Sequence, residues 1–175
     1  MSFVSMAFLL LFAGSYLGSK LSKTREQKHI VLLIASYLFY GYWDVRFLLL
    51  LILQTYISYI LAKQIARATD QKRAKAFMLI GVSISLAILG FFKYFNFFVE
   101  SFAQLFGIQN LGTLNIILPV GISFYTFQAL SYLIDVYRKQ LKACDRFLNI
   151  SLYISFFPQL VAGPIVRASD FLPQL

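Results

Sequence analysis

Long apolar runs alternate along this chain with short stretches that carry nearly all of its charge. A hydrocarbon layer about 30 Å thick takes roughly 20 helical residues, fewer where flanking side chains reach the headgroups. On that scale six hydrophobic helices are expected, over residues 2–18, 29–43, 46–62, 76–98, 114–137 and 147–163. The fourth is the plainest, with Lys93 as the single charge between 77 and 99. The second and third are separated by Tyr42-Trp43-Asp44-Val45-Arg46, a tight helical hairpin with aromatic rings where a membrane interface favours them. The neutral stretch 102–110 is expected to form a short surface helix ended by Gly107 or Gly112. The sixth segment holds Pro158 and Pro164, and proline removes a backbone donor and clashes with the preceding turn. It is therefore either a kinked crossing or a re-entrant hairpin buried against other helices.

Composition agrees with lipid as the solvent. Hydrophobic residues make up 59% of the 175 positions and charged residues 13%, and mean hydropathy is +0.73. Soluble domains are closer to half apolar and a quarter charged. The expected fold is all-α: a polytopic membrane bundle formed by residues 1–175 as part of one embedded domain. Sixteen Lys and Arg face seven Asp and Glu, yet the basic residues fall in clusters between apolar runs and form no continuous face for nucleic acid. With the N-terminus outside and all six segments crossing, the inner loops hold thirteen of the sixteen cations, as the positive-inside rule requires. Residues 3–18 could pass for a signal peptide, but no basic residue precedes them and several follow, which favours a retained first helix. One cysteine, Cys144, and one histidine, His29, exclude an internal disulfide and a histidine metal cluster. Both read as inert interfacial groups.

Candidate chemistry concentrates in the last two segments. The fifth opens at Leu118-Pro119, with proline suited to a first helical turn. Tyr125, Gln128, Tyr132 and Asp135 follow at helical spacing on one face, with Phe127, Leu130, Ile134 and Tyr137 opposite. A polar stripe on a spanning helix must face protein or water. It is either the wall of a substrate chamber or a set of interhelical hydrogen bonds. Asp135 and Arg138, three apart, are expected to pair near the inner boundary. Lys93 and Asn96 sit near the outer headgroups, where the lysine can snorkel or meet a polar substrate. Arg167 follows the broken segment, either outside or in a buried loop. No phosphate loop, metal-ligand spacing or serine-hydrolase elbow is present. These residues define a bundle with a polar-lined helix and a broken helix, not a reaction.

Several stretches do resemble a known family. They are Ala35-Ser36-Tyr37-Leu38-Phe39-Tyr40, Phe92-Lys93-Tyr94-Phe95-Asn96-Phe97, Leu118-Pro119-Val120-Gly121-Ile122-Ser123-Phe124-Tyr125 and Tyr132-Leu133-Ile134-Asp135-Val136-Tyr137-Arg138. The last is Phe156-Phe157-Pro158-Gln159-Leu160-Val161-Ala162-Gly163-Pro164-Ile165-Val166-Arg167. In this order they resemble the N-terminal part of the membrane-bound O-acyltransferase family, in its alginate O-acetyltransferase branch. The resemblance implies a multi-pass plasma-membrane enzyme. It would take an acyl group, in this branch acetyl, from a cytoplasmic donor such as acetyl-CoA or an acyl carrier. The group would pass to a hydroxyl of an exported polysaccharide, with help from extracytoplasmic partner proteins. The resemblance also implies a catalytic histidine, set in tryptophan–histidine motifs whose place in the family's order is beyond Leu175. No catalytic residue is therefore expected within these 175 residues, and this stretch alone is expected to be inactive, as a fragment or a truncated gene product. Carried over by position, Pro158, Gln159, Gly163, Pro164 and Arg167 belong to a broken element near the reaction chamber, which Tyr125, Gln128 and Asp135 would line or brace. A transporter-like module, or a non-catalytic membrane partner of polysaccharide export, is the alternative.

Overall fold

The computed structural model describes residues 5–106, 117–160 and 164–175. Its first four helices are α1 (Met6–Leu21), α2 (Arg25–Gly41), α3 (Val45–Arg67) and α4 (Gln71–Phe106). Three-residue turns join them, so neighbours run antiparallel. The turns are set by local chemistry. The Thr24 hydroxyl accepts the Gln27 N–H while the Gln27 side chain accepts the Thr24 N–H, capping α2. Asp44 caps α3 by accepting the Arg46 N–H at 2.8 Å, and its carboxylate also pairs with the Arg46 guanidinium. That contact holds the Asp44 carboxyl below its ordinary range.

The fifth helix departs from expectation at its start. α5 spans Ile122–Tyr137, and Pro119 lies in the preceding turn rather than in the helix. Gly121 is the reason: with φ at +72° it caps α5 in the left-handed region. A Cβ there would lie 2.5 Å from the Leu160 carbonyl oxygen, so the close approach also requires glycine. At its other end α5 closes with Gln140 N–H to Asp135 carbonyl and Lys139 N–H to Val136 carbonyl, a Schellman arrangement with Lys139 at φ 60°.

The sixth segment is broken. α6 (Phe147–Ser155) stops at Phe156, and α7 covers only Phe157–Leu160. In a continuous helix Pro158 would clash with the Ile154 carbonyl. Breaking at Phe156 places it in the first turn of α7, where its missing N–H costs nothing. Nine residues of α6 span about 13 Å, well short of a bilayer core. Past Pro164 the chain returns alongside α6. Tyr153 donates to the Val166 carbonyl at 2.9 Å, and the Phe171 ring of α8 (Ala168–Phe171) lies 5.5 Å from the rings of both Tyr153 and Phe156. A single 3-10 turn, Leu172–Gln174, follows α8 and is closed by the Leu175 N–H donating to the Leu172 carbonyl at 3.3 Å. Residues 161–163 lie outside the described residues, as do Gly107 and Gly112.

The expected surface helix at 102–110 is corrected in part: residues up to Phe106 continue α4, and 107–110 lie outside the described residues. At 36 residues α4 is about 54 Å long, longer than a bilayer core. Among the described residues, α3 and α4 are the two helices long and apolar enough to cross a membrane, and α1 is a shorter apolar helix.

α3, α4 and α5 pack against one another, with α6 across α2 and α3 and α8 against α5. The core joins Leu51, Ala62, Ile122, Tyr125, Ala129, Tyr132, Leu133 and Ile150, and a smaller cluster joins Phe39 and Phe157 beneath Phe8. Polar groups are buried within this apolar core, and large apolar side chains face outward. Gln54, Thr55, Ser58, Thr126 and Gln128 are buried, while Leu10, Leu17, Leu38, Leu49, Phe97 and Phe98 are exposed. Basic loops gather at one end of the bundle, where Arg146 pairs with Glu26 at 3.1 Å and His29 meets Asn149.

Candidate functional site

The polar stripe of α5 forms the spine of the interior, and its four residues have different surroundings. Tyr125 is fully buried with its ring against Tyr40, whose hydroxyl donates to the Val120 carbonyl at 2.9 Å. Tyr132, also fully buried, accepts the Cys144 N–H at 2.9 Å and so braces the loop after α5. Gln128 is 3% exposed, and its Oε1 has no hydrogen-bond partner. Asp135 is buried with Oδ2 unpartnered. The opposite side of α5 is less uniform than its sequence suggests, since Phe127 is exposed but Leu130 is buried.

The expected ion pair between Asp135 and Arg138 does not form. Arg138 caps α5 with its side chain in solvent, where the helix has already ended, while the Asp135 side chain points into the bundle. Water solvates the guanidinium there at no desolvation cost.

The broken element is tied down from three sides. The Phe157 N–H, freed by the break, donates to Ser36 Oγ of α2 at 3.3 Å, and Ser36 in turn donates to the Leu32 carbonyl. Gly121 presses on Leu160 at the end of α7. Tyr153 holds the returning chain at Val166 and lies 3.4 Å from the Ser131 hydroxyl of α5. Pro158 and Gln159 are half-buried, with Gln159 Oε1 enclosed and unpartnered. Pro164 and Arg167 are exposed, Arg167 serving as the cap of α8, and Gly163 lies outside the described residues.

At the opposite end from the basic loops, exposed Lys93 reaches the first turn of α5, its Nζ 3.3 Å from Ser123 Oγ and 5.3 Å above the Tyr94 ring. Asn96 is half-buried on the same helix. His29 is committed to Asn149, with Nδ1 and Oδ1 3.3 Å apart. Burial raises the Cys144 thiol above its ordinary range, although its Tyr132 contact opposes this. Neighbouring Lys142 and Arg146 do not activate it.

Sequence reasoning missed Gln54, which lies 1% exposed in α3 and donates to Thr126 Oγ1 of α5 at 3.3 Å, leaving its own Oε1 unpartnered. The signal was present: Gln54, Thr55 and Ser58 form a polar patch inside an otherwise apolar run. Ser36 and Tyr153 give no such signal. The interior thus holds acceptor oxygens with open lone pairs on Gln54, Gln128, Asp135 and Gln159, suited to groups that donate hydrogen bonds, hydroxyls among them. No group of three or more His, Cys, Asp or Glu side chains could hold a metal among the described residues.

Large apolar side chains facing outward around a core that also buries polar groups, with two long apolar helices, are the marks of a membrane helical protein. Comparison with known proteins places it more closely. The chain is 40% identical to the probable alginate O-acetylase AlgI of Pseudomonas aeruginosa, over 99% of this chain and 34% of that protein. It is 36% identical to the protein of the same name in Azotobacter vinelandii, over 99% of this chain and 36% of that one. To the peptidoglycan O-acetyltransferase of Helicobacter pylori it is 33% identical, over 93% and 35%. These homologues run along nearly the whole chain and bear out its kinship with the alginate O-acetylase branch of the membrane-bound O-acyltransferase family. The chain, Met1 to Leu175, spans about a third of the length of the curated relatives it matches. No family model and no solved structure matches it.

Proposed function

We propose that this chain forms part of a membrane O-acetyltransferase that modifies hydroxyls of a cell-surface polysaccharide. The observation that carries this reading is the similarity, along nearly the whole of this chain and about a third of each relative, to an alginate O-acetylase and a peptidoglycan O-acetyltransferase. The polysaccharide and partner acetylation proteins would meet it outside the membrane, and the donor, acetyl-CoA or an acyl carrier, would approach from the basic end. The six segments would traverse or enter the bilayer with the N-terminus outside, and the gathering of basic loops at one end supports that orientation.

In this reading α5 and the broken element are walls and braces of the reaction chamber rather than catalysts. Gln128 and Gln159 would receive hydrogen bonds from the acceptor or from water beside it, and Tyr125, Tyr132 and Asp135 would keep α5 in place. The general base that takes the hydroxyl proton would be a histidine outside the stretch that ends at Leu175, since His29 is engaged with Asn149 near the basic loops. The 175 residues alone would then not transfer acetyl groups.

Acetate released from the polysaccharide by cells making the full-length protein tests the chamber wall. Gln128→Leu is expected to lower the acetyl content at least tenfold and Leu130→Ile to leave it within twofold, at equal protein level. Equal activity of the two variants would overturn the wall; absence of any acetate difference between cells with and without the protein would overturn the acetyltransferase itself.

A further inference from the structure

A cavity of about 1120 Å³ opens at the basic end, between the C-terminal ends of α3 and α5, the first turn of α4 and the loop after α5. Five cations line it, Lys63, Arg67, Arg138, Lys139 and Lys142, against one carboxylate, Asp145. None of the six takes part in an ion pair among the described residues; those pairs join Arg46 to Asp44 and Arg146 to Glu26. One of the cations is positioned. The Lys63 ammonium donates to the Tyr59 hydroxyl at 2.6 Å and sits 4.6 Å above its ring, while that hydroxyl donates to the Asp145 carbonyl.

Charge sorting across a membrane accounts for cations at this end of the bundle. It does not account for their convergence. Like charges around one concavity repel, and a concave wall focuses their field. Lys20 and Lys23, on the α1 side of the same end, line none of this cavity. We propose that the cavity is a binding site for a phosphate-bearing anion. Arginine and lysine together suit phosphate, the arginines through their planar fork and the lysines as point charges. The volume exceeds what a single phosphate needs, and Ile65 and Leu141 in the lining offer apolar contact to the rest of a phosphate ester. Two sources share this chemistry, an anionic phospholipid headgroup and a soluble diphosphate. The site does not depend on the acetyl-transfer reading.

The test uses the full chain in nanodiscs of phosphatidylcholine, with and without phosphatidylglycerol. Pyrophosphate binding is followed by calorimetry in the neutral discs, and retained phosphatidylglycerol by native mass spectrometry. One of the two is expected to bind at one per chain, which identifies the source. Arg67→Gln with Arg138→Gln should weaken it at least tenfold, Arg67→Lys with Arg138→Lys should restore part of it, and Lys20→Gln with Lys23→Gln should leave it unchanged. No binding of either probe by the unaltered chain, or equal weakening by the two glutamine pairs, would overturn the site.

Discussion

The Ser36 hydroxyl accepts the backbone N–H of Phe157 at 3.3 Å, joining positions 121 residues apart. A single hydroxyl on α2 thereby satisfies the donor that the Pro158 break sets free. Away from water an unpaired N–H is costly, so this contact makes the break tolerable inside the bundle. Ser36→Ala is expected to cost about 1–3 kcal/mol. Thermal unfolding in detergent reads this directly against Ser15→Ala, which removes only a bond within α1. Equal melting temperatures for the two variants would refute the role.

Gly121 is required twice over, by its φ of +72° and by the Leu160 carbonyl oxygen 2.5 Å from any added Cβ. Gly121→Ala should therefore lose about 2 kcal/mol or more, because left-handed strain is compounded by a displaced α7. Gly14, with nothing within 4 Å, provides the contrast. Gly14→Ala is expected to leave the melting temperature unchanged or raised, since alanine is the better helix former.

Lys139 occupies a left-handed position that glycine fills at lower cost. Lys139→Gly should stabilise the fold by about 1 kcal/mol and Lys139→Val should destabilise it. Denaturation midpoints of the two variants are expected to shift in opposite directions from the parent.

Cys144 supplies a pH dependence. Burial raises its pKa, so little thiolate is present near neutral pH. The sign for stability follows: this contribution is whole below the ordinary thiol pKa and is lost as pH rises through the raised one. Maleimide should modify Cys144 more slowly than an exposed thiol made by Thr69→Cys with Cys144→Ser, with the gap persisting from about pH 7 to pH 9. Equal rates at neutral pH would show an accessible, unshifted thiol.

Orientation can be read with the same chemistry in Cys144→Ser cells. Thr69→Cys, in the basic α3–α4 turn, should react with a membrane-impermeant maleimide only after lysis. Trp43→Cys, in the α2–α3 turn, should react in intact cells. The reverse result would invert the topology.

Much of the helical architecture was legible in the amino-acid order. Apolar runs of bilayer length read as helices because membrane solvation acts on the run itself, while the Thr24 and Asp44 caps that open α2 and α3 emerged from the structure. The Pro158 break was legible for the same reason: proline acts on its own helix. Where the order misled, a tertiary contact had won. Pro119 was displaced from α5 by the turn that seats Gly121 against Leu160, and Asp135 and Arg138 separated because one side chain turned into the bundle and the other into water.

By itself the sequence determined an apolar, helical chain, the proline break at its sixth segment and the clustering of its cations between apolar runs. Only the tertiary structure decided that Ser36 serves Phe157, that Gln54 meets Thr126, and that five cations from two stretches of chain line one cavity. Periodicity specifies which face of a helix is polar, but the partner of that face depends on how helices rotate and slide against one another. Those are degrees of freedom that packing settles across the whole bundle.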